Sequence, residues 1–188
     1  MRPAPMVIVS ITIAVLFVLW PQAHSSLAKV DMLPGTVVDG DDKTVQEILA
    51  TFSRAEEAIR VQDLDALMNL YSTTYNYHRL NKADIRGIWA ALFSHYREVS
   101  SLHLFDHVRI VHASTGSTAE IRCTGNLTAI PKRGNVPVNL DSWFGEVHYL
   151  VKEAGVWRIR GNAGDHSPEV LQFGTVPFFI GAASHPLF

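Results

Sequence analysis

The hydrophobic period changes once along this chain, and that change dictates its architecture. Over residues 45–96 the apolar side chains recur at three- and four-residue steps, the spacing that lines one face of a helix. From Leu102 onward apolar and polar residues alternate, the spacing of a strand with one covered face. Helices first and strands afterwards predict an α+β domain whose helices cover one face of an antiparallel sheet.

Within the helical part, Val45, Ile48, Leu49, Phe52, Ala55 and Ile59 form a stripe, with Glu47, Arg54, Glu57 and Arg60 toward water. Asp63 stands where an N-cap would, ahead of a short second helix carrying Leu64, Leu67, Met68 and Tyr71. A β-prone stretch, Tyr75-Asn76-Tyr77-His78, leads to Asn81 and Asp84, spaced as a capping box before a third helix bearing Ile85, Ile88, Trp89, Leu92, Phe93 and Tyr96. In the strand region Leu102, Leu104, Val108 and Ile110 read as one face and His103, Phe105, His107 and Arg109 as the other. Ala119, Ile121, Cys123 and Gly125 alternate in the same way. Pro131, Gly134 and Pro137 interrupt the sheet, and Glu153-Ala154-Gly155 marks a hairpin turn.

A chain of 188 residues with 47% apolar side chains fills one ordinary core, and a net charge of −2 supplies no basic field for nucleic acid. At the start, Arg2 precedes an apolar run over residues 6–20, broken only by Ser10 and Thr12 and stopped by Pro21. Fifteen residues rise ~22 Å as a helix, short of a ~30 Å hydrocarbon core, so residues 1–28 read as a signal peptide. Small residues place cleavage at Ala23-His24-Ser25 or Ser26-Leu27-Ala28. The expected location is periplasmic or secreted, with an uncleaved signal anchor, and membrane contact through it alone, as the alternative. Residues 29–43, with Pro34, Gly35 and the Asp39 to Asp42 turn cluster, show no sustained period and read as a linker. The domain is expected over residues 44–165. Beyond it, residues 166–188 form an apolar tail with prolines at 168, 177 and 186, suited to folding over its own domain or to a partner or dimer contact.

The bend QDLDALMNLY (residues 62–71), the helix LNKADIRGIWAALF (residues 80–93) and the hairpin VHYLVKEAGVWRI (residues 147–159) together resemble the nuclear transport factor 2-like, SnoaL-like superfamily. The resemblance implies a cone-like curved sheet wrapped around N-terminal helices, and covers residues 44–165. Its members include enzymes, ligand binders and assembly modules, so the fold alone does not choose a function. Isomerases of this kind use a tyrosine in the first helix and a carboxylate base after the second. Those positions fall on Ala55 and near Arg79 here, so the proton-moving pair is missing and steroid isomerisation is disfavoured, while Glu146 falls close to the third, acidic position.

Two readings of the cavity follow. The first is a non-catalytic module binding a small apolar or amphipathic ligand, or a protein partner, among Tyr77, Trp89, Tyr96, Glu146 and His148. The second is a cyclase, dehydratase or isomerase in which Glu146 and His148, ~6.6 Å apart along a strand, act as acid and base. The bland alternative buries Val147, Tyr149 and Val151 and leaves Glu146 and His148 in solvent. Self-association as an assembly module is the third class. No cofactor is called for. His103 and His107 lie ~13 Å apart on a strand, too far for one ion, so no metal is expected; with His112 they read as surface or polar-cavity residues. Cys123, the single cysteine, reads as core. Asp165-His166 reads as a turn cap, Asn126-Leu127-Thr128 as a chance glycosylation sequon, and no serine sits in a nucleophile elbow.

Overall fold

The computed structural model describes residues 29–77 and 79–161. Its elements, in chain order, are β1 (Lys29–Asp39), α1 (Asp42–Arg60), α2 (Leu64–Met68), β2 (Asn76–Tyr77), β3 (Leu80–Asn81), α3 (Lys82–His95), β4 (Tyr96–Ala113), β5 (Gly116–Pro131), β6 (Val138–Glu153) and β7 (Val156–Ile159). Each helix starts where a side chain satisfies its first free N–H groups. Asp41 accepts from the Thr44 N–H at 2.9 Å, Asp63 from the Ala66 N–H at 2.9 Å, and Asn81 and Asp84 form a reciprocal capping box. The Ala154 and Gly155 φ angles of +50° and +80° make the two-residue turn between β6 and β7 a hairpin that follows the strand twist.

The sheet runs β1-β4-β5-β6-β7, antiparallel from β4 to β7, with α1 and α3 packed on one face. It is an open α+β arrangement, and it is mixed, because β1 pairs parallel to β4. This corrects the reading of residues 29–43 as a linker. A Pro-Gly pair breaks the local period, but residues 33–36 bulge out of register between Met32 and Val37, and an edge strand tolerates proline there. The Thr36 hydroxyl donates to the Phe105 carbonyl (2.8 Å) and ties the bulge to β4. The expected signal segment and the apolar tail lie outside the described residues, as do Asp165 and His166. Among the described residues no helix is long and apolar enough to cross a membrane.

Two bulges decide which side chains reach the interior. In β4, Phe105 pairs with Cys123 but His107 with Arg122, so Asp106 is an extra residue. Before it Val99, Ser101 and Phe105 point inward; after it Val108 and Ile110 do. The reading that put Leu102 and Leu104 on the core face with Val108 and Ile110 is thereby corrected: a strand has period two, and one inserted residue exchanges its faces. In β6 the offset recurs at Gly145 (φ +64°), since Gly125 pairs with Trp143 and Cys123 with Glu146. Phe105, Ile121 and Cys123 are 0% exposed and Trp157 and Leu150 1%, which places the core between the concave sheet face and α1. Cys123 is core, as its position in the alternation predicts.

Candidate active site

α1, α3 and the concave face of β4 to β6 enclose a cavity of ≈ 150 Å³. Its walls are largely apolar, including Phe52, Ile59, Leu67, Ile85 and Leu127. Into this lining the fold projects two clusters of chemistry. The first joins α1 to β4. Glu56 is 5% exposed; its carboxylate accepts from the Ser101 hydroxyl in a short bond and from the Ser101 N–H at 3.2 Å. His103 Nδ1 lies 3.0 Å from Glu56 Oε1, as an ion-pair contact rather than an aligned hydrogen bond. The second cluster sits on β6, two strands away, where the Tyr77 hydroxyl donates to Glu146 Oε1 at 2.6 Å.

Electrostatics separate the members. Enclosure raises the Glu146 carboxyl to about 7, with Asp141 adding to the rise and the Tyr77 bond opposing it. His148, on the same strand face, is pushed down to about 3 by loss of water and by neighbouring His103, so it is a neutral imidazole at ordinary pH. Its Nε2 is shielded from solvent and has no hydrogen-bond partner. The Tyr71 phenol, pushed up to about 12 by burial, accepts from Trp89 Nε1 at 3.1 Å and stays a neutral wall group.

Of the residues expected in the cavity, Tyr77, Trp89, Glu146 and His148 line it. Tyr96 does not. The helical stripe ends at His95, and Tyr96 turns to extended backbone (φ −109°, ψ 139°) as the first residue of β4, its carbonyl accepting from Gln62 Nε2 at 2.9 Å. Glu146 and His148 stand on the concave face with Leu150, not in solvent. The histidines read as surface or polar-cavity residues divide between the two: His103 enters the cavity, whereas His112 is exposed and bonds Ser117 at 2.8 Å. Arg79 is exposed and brings no carboxylate, and Ala55 lines the wall, as the alignment of positions implied. One residue after Ala55, however, a buried carboxylate that the sequence reading did not single out enters the cavity, Glu56. A signal was present, since Glu56 lies four residues after Phe52 and three before Ile59, on the apolar stripe rather than on the wet face.

No family model and no curated protein sequence matches the chain. Solved structures do match. A conserved protein of Planctomyces limnophilus superposes with TM-score 0.53 at 16% identity, covering 64% of this chain and 94% of its own. The protein Aln2 of a Streptomyces species gives 0.51 at 15% identity, over 65% and 90%. A candidate scytalone dehydratase of Novosphingobium aromaticivorans gives 0.50 at 11% identity, over 63% and 80%.

Proposed function

The chain has the NTF2-like, SnoaL-like fold, and on that premise we propose that its cavity is an acid–base active site for a small, largely apolar carbonyl compound. The observation that carries this reading is the pair of clusters just described, Glu56 with Ser101 and His103, and Glu146 with Tyr77, in one apolar enclosure. A ligand binder needs apolar walls and a few orienting polar groups. It does not need two carboxylates held against their tendency to stay in water.

In the proposed chemistry Glu56 holds the His103 imidazole, which takes a proton from the carbon next to the substrate carbonyl. Glu146, half-protonated near neutral pH, returns a proton, either to a departing β-hydroxyl, which eliminates water, or to carbon, which isomerises the double bond. Tyr77 orients the Glu146 carboxyl. His148, neutral and unpartnered at Nε2, is placed to bond a substrate oxygen. The likeness to a candidate scytalone dehydratase supports the dehydration branch. A cavity of ≈ 150 Å³ limits the reacting part to about one ring, since an apolar cavity of about that volume accepts benzene.

The second reading, a binding module for such a ligand, is favoured by the same apolar lining. For either reading we place the domain outside the cytoplasm, on the strength of the apolar run over residues 6–20. The test is deuterium incorporation next to the carbonyl, and water loss, for a panel of single-ring ketones and β-hydroxyketones in D2O, followed by NMR. Exchange above the buffer rate that disappears in Glu56→Gln supports catalysis. Binding of the same compounds without exchange leaves the binding module.

A further inference from the structure

Two side chains that this chemistry uses, His103 and His148, converge with one that it does not, Cys123. β4, β5 and β6 each contribute one metal-ligating side chain to the concave face: His103, Cys123 and His148. His103 pairs with Gly125 and His148 with Ile121, so both flank Cys123 diagonally, one on either side. Sheet curvature draws the three donors together, and one atom from each lies within 4.8 Å of the others. Histidines along one strand, such as His103 and His107, stand too far apart for one ion; the convergence here runs across strands.

We propose that His103, Cys123 and His148 bind a single d10 metal ion, Zn²⁺ or Cu⁺, with one coordination position open to the cavity. Two imidazoles and one sulfur suit this class, whereas Mg²⁺ and Ca²⁺ select oxygen. A tetrahedral ion with metal–N of ~2.0–2.1 Å and metal–S of ~2.3 Å needs donors about 3.3–3.8 Å apart, so side-chain rotations of about an ångström close the site. The surrounding bonds fit this use. Trp143 Nε1 already donates to Cys123 Sγ at 3.0 Å, a bond that persists on a thiolate, and Glu56 stands against His103 Nδ1 as carboxylates do behind metal-bound imidazoles. His148 Nε2, with no partner and no solvent, gains one. Trp143 is held over the trio because Gly125 leaves room for it: a Cβ at Gly125 would meet the indole ring at 2.6 Å.

On binding, the Cys123 S–H bond breaks, the sulfur–metal bond forms and one proton goes to solvent. The ion occupies the His103 imidazole, so it would inhibit the acid–base turnover proposed above. Uptake does not depend on that turnover and is measured apart from it. Metal-stripped full chain without a histidine tag is titrated with Co²⁺ as the spectroscopic probe and with Zn²⁺. One equivalent is expected, with a thiolate-to-cobalt charge-transfer band and release of one proton. The band should vanish in Cys123→Ser, and affinity should fall at least ~10-fold in His148→Gln and ~10–100-fold in Glu56→Gln, each checked for folding by circular dichroism. No stoichiometric uptake, or a band unchanged in well-folded Cys123→Ser, would overturn the site and leave a bridging water as the partner of His148.

Discussion

Glu56 and Glu146 carry the same functional group into the same cavity, and their surroundings differ in the number of donors and in the charge of the nearest neighbour. Glu56 accepts two bonds from Ser101 and faces His103, whereas Glu146 has the Tyr77 hydroxyl and, in Asp141, a neighbour of its own sign. The contrast shows how one fold makes an acceptor and an acid from identical side chains. A carboxyl ringed by donors is set up to hold a cationic imidazole, and one starved of donors keeps a proton to give.

Removing the acceptor is the severest test of that contrast. Glu56→Gln should lower turnover by ~10²–10⁴, the usual share of a general base, because His103, the base, loses the carboxylate that holds it, with substrate affinity little changed. A matching loss in Glu146→Gln is expected too, but with a different signature: the wild-type fall in rate above about pH 7 should be missing from its residual activity. If the two variants gave the same pH profile, the carboxylates would not be playing separate parts.

Stability against pH probes the same division without any substrate. Glu146 ionises at about 4.5 when unfolded and about 7 when folded, so between these values the folded chain holds more protons and stability falls as pH rises. The total is at most about 3 kcal/mol. His148 runs the other way. It charges near 6.5 when unfolded and about 3 when folded, so stability is lost as pH falls across that window, by at most about 5 kcal/mol. From about 4.5 to 6.5 the two slopes oppose and nearly cancel. Urea unfolding with chelator present should therefore show a steeper rise with pH in Glu146→Gln than in wild type over this range, and a fall in His148→Gln. Identical slopes in all three chains would remove the burial argument for both groups.

Tyr77→Phe strips Glu146 of the hydroxyl bond that opposes the rise in its pKa. The alkaline limb of the rate profile should move up, and turnover should fall about 10-fold, through loss of orientation worth about one hydrogen bond. A limb that moves down would mean that the phenol does not favour the ionised carboxyl.

Helix stripes, caps and the hairpin turn were legible because each is written within about a dozen neighbouring residues. The capping box at Asn81 and the Ala154-Gly155 turn are examples. What local pattern could not show is pairing. β1 is a strand because β4 offers a free edge, and its Pro34-Gly35 bulge erases the period that would have announced it. The extra residue at Asp106 exchanges the faces of β4, where His103, rather than Leu104, meets Glu56, and the one at Gly145 exchanges those of β6. Half of the site followed from the strand spacing of Glu146 and His148. The other half needed a charge noticed on an apolar helical stripe and a bulge that no period predicts.

Ser101→Ala is the mildest perturbation, and it acts on that second half. The side chain is 4% exposed, and its hydroxyl supplies one of the two bonds from this residue to Glu56; the backbone N–H remains in the variant. Glu56 then approaches the condition of Glu146, with one donor from the sheet in place of two. The expected cost is about 1 kcal/mol of stability, the net worth of one hydrogen bond, and a loss of turnover under ~10-fold. Because His103 is untouched, the pH profile should keep its shape. A loss as large as that of Glu56→Gln would mean that the serine itself meets the substrate, and an unchanged rate would mean that the N–H alone holds the carboxylate in place.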